Sequence, residues 1–289
     1  MAELRSGGTW ESALTCGEFA AIRSAGFEPV GLAFGAAVYG AGSASGYSCP
    51  GAWGSSGDGM PALAAEVSRR DGFGSFAPLV QAMDQARHTA IDRMTAECAE
   101  LRGHGLVGVR LSRGSFLGGG LEVTAIGTAV RAPGAPCGQH APFACDMSGQ
   151  DFAKLIMAGW VPSGLAVGIS IGSRHDDRPT VSQTRWGSGN AEVAGWTELV
   201  NESRHEARRR LEGDVRRLGA EGVVIAGMEM RVRERDCPVT LGRRDHIVEV
   251  TLVGTAIASF SRVQQRHAGP ALAVMSLDPR RRQAVRRNP

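Results

Sequence analysis

At 289 residues, 43% hydrophobic and 21% charged, the chain has the make-up of a globular protein with room for two ordinary domains. Its net charge of +3 is misleading, because residues 262–289 hold seven arginines against Asp278 alone and leave the rest with 25 basic and 28 acidic residues, so the body is no electropositive nucleic-acid binder. No apolar run is long enough to span a membrane, and Met1-Ala2-Glu3-Leu4-Arg5 leads into no hydrophobic signal core, so a cytoplasmic location with the six cysteines as thiols is expected.

In chain order, Thr15 with Glu18 three residues on predicts a capped short helix over Glu18–Ser24. A first strand follows through Gly31-Leu32-Ala33-Phe34-Gly35, and a Gly/Ser-rich loop over about 40–76. Met83, Ala90, Met94, Cys98 and Leu101 lie on one helical stripe, which predicts a long helix from near Pro78 to near Arg102, stopped by Gly103 and Gly105. Leu106–Leu111 and Leu121–Val130 read as strands joined by a Gly118-Gly119-Gly120 turn. After a linker the series recurs: a short helix over Asp151–Met157, a strand through Gly164-Leu165-Ala166-Val167-Gly168, a helix from near Thr197 to near Gly219, and strands at Val223–Met228 and Ile247–Ile257.

The recurrence is a tandem duplication. The first-strand block repeats at an offset of 133, the helix at 117 (Arg87-His88 as Arg204-His205) and the last strand at 127 (Glu122-Val123-Thr124 as Glu249-Val250-Thr251). The offset changes shorten the loop of copy two and lengthen its hairpin through Arg231–Asp245. The expected organisation is a first repeat over 1–131, a linker over 132–147, a second repeat over 148–262 and an Arg-rich tail over 263–289. The fold class is α+β: two βαββ units, each with one long helix on a small, mostly antiparallel sheet. Such a sheet has open edges and a bare face, so the copies are expected to pair and further chains to extend or close the sheet.

The helix with Arg204, the turn Leu218-Gly219-Ala220-Glu221-Gly222-Val223-Val224 and the strand Glu249-Val250-Thr251 with Gly254-Thr255-Ala256 together resemble the YbjQ family, whose label is heavy-metal-binding. The resemblance covers about 225 residues, since both copies match. It implies a ring-forming βαββ fold, typically pentameric, and supplies no reaction. Two units in one chain depart from the simple family pattern.

Candidate metal ligands fall into two groups. Cys137, His140 and Cys145, with Asp146 beside them, form the one local thiolate–imidazole cluster, of a kind that suits zinc, but in no usual zinc spacing. His88 and His205 hold one repeat position and could line a shared surface in a ring; against this, one histidine per unit is no site, and a polar helix flank explains both. Cys98 sits where copy two has Val215, which points to a packed thiol. The Arg-rich tail is either solvated or a contact for an anionic partner, and its apolar stretch Ala271–Leu277 could dock on a neighbour. No catalytic constellation occurs in both copies. The sequence therefore reads as a non-enzymatic, ring-forming homo-oligomer, of five chains as a first expectation, acting as a binding or scaffold protein of unknown ligand. The alternative is a heavy-metal-binding protein using the Cys and His ligands above.

Overall fold

The computed structural model describes residues 11–40, 76–116, 120–136, 138, 140–185, 189–237 and 242–260. Cys137, most of the 40–76 loop, Gly118 and Gly119, and the tail with its apolar stretch lie outside the described residues. The first copy contains α1 (Cys16–Ser24), β1 (Glu28–Gly40), α2 (Ala77–Glu100), β2 (Gly105–Phe116) and β3 (Gly120–Arg131). A short β4 (Phe143–Ala144) follows. The second copy contains α3 (Gly149–Met157), β5 (Trp160–His175), α4 (Arg178–Gln183), α5 (Ala194–Arg217), β6 (Gly222–Asp236) and β7 (Arg244–Ser259). The fold is mixed α+β with two mostly antiparallel sheets, as expected of βαββ units.

Each short helix starts as its sequence dictates. Thr15 and Glu18 form a reciprocal capping box, and Ser148 accepts from the Asp151 N–H. At the end of α2 the left-handed position is held by Arg102 (φ 55°), and its repeat mate Gly219 (φ 63°) holds it after α5. Gly103, expected as the stop, instead packs against Cys98, where a Cβ would stand 2.6 Å from the sulfur.

The first sheet has the order β1-β3-β2-β4 and the second β5-β7-β6. Positions 133 and 127 apart take corresponding places in the two sheets: Leu32 pairs with Thr128, and Leu165 with Thr255. Each long helix lies across the first strand of its sheet at a glycine. A Cβ on Gly35 would stand 2.0 Å from the Ala90 carbonyl oxygen, and one on Gly168 2.1 Å from that of Ala207. Helix and strand backbones therefore touch, and only glycine allows it.

The expectation that the copies join by strand pairing does not hold among the described residues. The edge groups find other partners. In β1 the Phe34 N–H donates to Glu97 (2.7 Å), and Arg93 donates to the Ala36 carbonyl. In β5 the Val167 N–H donates to Asp214, the mate of Glu97 (3.1 Å). On β2 the edge is taken by β4 and the residues after it, in the segment read as linker: Cys145 N–H donates to Leu106 O and Val109 N–H to Cys145 O, both at 2.9 Å. The helix carboxylates and this ordered stretch thus occupy parts of the β1, β5 and β2 edges, while β6 is an edge strand paired with β7 alone among the described strands.

The core of each copy lies between its long helix and its sheet, with Ala86, Ala90, Met94 and Cys98 in the first and Leu199, Ala207, Leu211 and Val215 in the second. Leu211 is 1% exposed. Leu211→Asp, which buries a carboxylate without a partner, is expected to cost roughly 3 kcal/mol or more. A denaturation midpoint equal to that of the wild type would place this helix face in solvent.

Candidate functional site

The two copies meet in a junction built from the start of α2 and the outer face of the second sheet. By strand alternation, Ala166, Gly168 and Ser170 of β5 face α5, so Val167, Ile169 and Ile171 project from the other side of the sheet. There they meet Phe76, Val80 and Met83 at the start of α2, with Leu111, Leu121, Ile247 and Val253 around them.

Charged groups frame this apolar centre. Arg113 of β2 pairs with Glu249 of β7. Arg87 is buried between the copies, and desolvation pulls its pKa down to about 10 against the pull of Glu249 and Asp84. His88 places Nδ1 2.8 Å from the Asp84 carbonyl oxygen and Nε2 3.6 Å from Asp214 Oδ2, with Arg217 Nη2 2.6 Å from the same nitrogen. The Asp214 contact raises the His88 pKa, against partial burial and with help from Asp84. Burial would raise Asp214, but the contacts from His88, the Val167 N–H and Arg217 hold it below the usual carboxylate range. A cavity of about 240 Å³, with Asp84, Asp214 and Arg217 in its wall, opens beside the pair.

Repeat mates differ sharply in exposure across this junction. Val167 and Ile171 are 2% and 5% exposed, whereas their mates Phe34 and Val38 in the first copy are 49% and 48% exposed. Arg87 is buried and His88 half-buried, whereas Arg204 and His205 are exposed. On β6, Met228 and Met230 are exposed, while their mates Leu111 and Arg113 are partly covered at the junction. What the first copy's α2 and β2 cover has an uncovered twin on the first copy, and of the covering surface's twin on the second copy Arg204, Met228 and Met230 are exposed while Val200 packs on its own core.

The candidate ligands from the sequence are not gathered into one set among the described residues. Cys145 is fully buried with Ile22, Val107, Val130 and Phe152, and burial pushes its thiol up to about 12. His140 is exposed, and Cys137 lies outside the described residues. Asp146 receives the Thr255 hydroxyl and donates its own N–H back to that oxygen at 3.1 Å, and burial raises its carboxyl. Cys98 is a packed thiol, likewise pushed up to about 12 by burial.

A grouping the sequence did not disclose is His175, Cys237 and Asp245, whose ligand atoms all lie within 4.8 Å of one another. The longer hairpin of copy two pointed to the region. Only the register, which sets His175 opposite Asp245, brings the three together.

A family model described as "Putative heavy-metal-binding" matches residues 64–133. The described ligand-type side chains of that stretch include His88, committed to the junction, and Cys98, a packed thiol, and they offer no clustered metal set. Encapsulin nanocompartment protein Rv1762c of Mycobacterium tuberculosis is 32% identical over 258 residues, which span 86% of each chain. No solved structure matches significantly.

His88 gives the junction a pH signature. Its folded pKa lies above the unfolded value, so its contribution is complete below about pH 6.5 and is lost as pH rises through the folded pKa. Asp214 works oppositely, contributing above its unfolded value and losing this as pH falls through the lowered folded one. His88→Gln should therefore cost about 0.5–1 kcal/mol near pH 5.5 and markedly less near pH 8.5. Thermal melts of the two proteins at both pH values check this; an equal difference at each would remove His88 from the junction's energetics.

Proposed function

The chain belongs to the family of the mycobacterial encapsulin nanocompartment protein, and from that premise we propose that it is a non-enzymatic scaffold that assembles head to tail through copies of its own internal junction. The observation that carries this reading is the exposure of Phe34 and Val38 where their mates Val167 and Ile171 are buried.

The second copy of one chain offers α5 and β6, with Val200, Arg204, Met228 and Met230, as equivalents of the surface through which the first copy grips β5. The first copy of the next chain offers Phe34, Ala36 and Val38 as the surface to be gripped. In that docking Arg204 approaches Glu122, the mate of Glu249, as Arg87 approaches Glu249 within the chain. The contact is heterologous, so it closes into a ring where the rotation allows and otherwise runs on as a filament. A ring of such chains contains an even number of units, and five chains giving ten units is the form we favour. The packed first-strand edges direct growth through faces rather than through strand addition.

The second reading, a heavy-metal-binding protein, draws on the family label and on the His175–Cys237–Asp245 grouping. A zinc-class ion is the cofactor that such donors suit. The ligand set named from the sequence, Cys137, His140 and Cys145 with His88 and His205, is less favoured, because Cys145 and His88 are engaged in packing and in the junction. We further propose a cytoplasmic setting, the repeat boundaries given above, and an anionic partner for the Arg-rich tail; no helix among the described residues is long and apolar enough to cross a membrane.

The assembly reading is tested by Phe34→Glu with Val38→Glu. Both side chains are about half exposed, so the isolated chain should fold and melt much as the wild type does. Sedimentation velocity at micromolar concentration should show a discrete oligomer for the wild type and a single 30.3 kDa chain for the variant. A wild type that stays monomeric over this range, or a variant that assembles equally well, contradicts the proposal.

A further inference from the structure

We propose that the far end of the second sheet is a binding site for a zinc-class divalent cation, held by His175, Cys237 and Asp245. The three residues come from three adjacent strand ends. His175 closes β5, Asp245 lies opposite it near the start of β7, and Cys237 follows β6, where its N–H donates to Arg243 O at 2.9 Å. A sheet end held by cross-strand hydrogen bonds fixes ligands better than a loop does.

The donor set has the right chemistry. A thiolate, an imidazole nitrogen and a carboxylate oxygen are the ligands that zinc and its softer relatives take, and three protein ligands leave one position for water. Bonds of about 2.0–2.3 Å put donor atoms of a tetrahedral site roughly 3–4 Å apart. A set already within 4.8 Å, with His175 Nδ1 and Asp245 Oδ1 at 2.8 Å, closes on an ion by small side-chain rotations. Asp245 and Cys237 are buried and His175 is mostly so, which limits competition from water. Two anionic ligands neutralise a dication. Arg235 Nε stands 3.8 Å from Asp245 Oδ2.

The surroundings brace the same end. His246 lies 2.9 Å from Asp176 and 3.5 Å from Glu234, and its ring packs on Trp196 with centroids 4.8 Å apart. These contacts hold β5, β6, β7 and the start of α5 together around the grouping.

Among the described residues the grouping occurs once, at the end of the second sheet, where β6 runs to Asp236 and β7 starts at Arg244. One ion per chain is therefore expected. The site also lies outside the stretch that carries the family label, so its case rests on this geometry and is independent of the assembly reading.

The test uses the full chain without a histidine tag, stripped with chelator, incubated with zinc and dialysed. Elemental analysis should find one zinc per chain, zinc should raise the melting temperature, and cobalt in its place should give a thiolate charge-transfer band. Cys237→Ser should lose that band and bind at least tenfold more weakly, while a Cys137→Ser, Cys145→Ser double variant should keep the zinc. Should Cys237→Ser misfold, His175→Gln serves in its place, with the same loss of affinity expected and circular dichroism as the fold control. Substoichiometric zinc in the wild type, equal binding by Cys237→Ser and His175→Gln, or loss confined to the Cys137/Cys145 variant would each overturn the proposal.

Discussion

The backbone contact between each long helix and the first strand of its sheet sets the rest of the structure. Gly35 and Gly168 allow a helix carbonyl to approach a strand Cα to a distance that no side chain permits. Small residues on the facing helix surface, Ala86 and Ala90 or Ser203 and Ala207, complete the close fit, and in copy two Ser170 donates to the Ser203 carbonyl at 2.6 Å. One helix is thereby committed to one face of a three-stranded sheet. The other face is covered within the first unit only at one end, where Ile22 of α1 packs with Val107 and Val130.

The internal junction is the chain's own answer to this shortage. The second unit has its outer face covered by the first, through an apolar centre of Val80, Met83, Val167 and Ile169 and a charged frame of Arg87, Arg113, Asp214 and Glu249. On the first unit the equivalent positions Phe34 and Val38 have no such cover among the described residues. A duplicated protein joined by a heterologous contact always ends with one unused copy of each half, and self-complementary halves on one chain favour assembly. The edges tell the same story from the other side. Glu97, Arg93 and Asp214 engage Phe34, Ala36 and Val167 on the outward edges of β1 and β5, which discourages strand addition at those points.

Much of this was legible in the sequence because it repeats local signals. The offsets located both helices to within a few residues, the stripe of Met94 and Leu211 identified the buried face, and the Thr15–Glu18 box marked a helix start. What stayed hidden depends on contacts distant in sequence. Arg87-His88 and Arg204-His205 look alike as letters, yet the environment of each is set by whether another unit lies against it. Cys145 reads as a linker thiol with its neighbours Cys137 and His140, but its backbone pairs with β2 and its side chain enters a core. His175 and Asp245 are 70 residues apart, and only the antiparallel register makes them neighbours. The helix stop after α2 was misplaced by one residue, because Arg102 adopts a backbone conformation that composition assigns to glycine.

The central claim is that the junction within the chain is reused between chains, and a mixing experiment tests it most directly. One protein carries Phe34→Glu, which spoils the surface to be gripped, and another carries Met228→Glu, which spoils the gripping surface; both side chains are about half exposed. Each alone should be monomeric by native mass spectrometry, and an equimolar mixture should give a heterodimer of one chain of each and nothing larger, since each pair then has one intact set of complementary surfaces. A mixture that stays monomeric, or variants that still form the wild-type particle alone, would contradict the head-to-tail account.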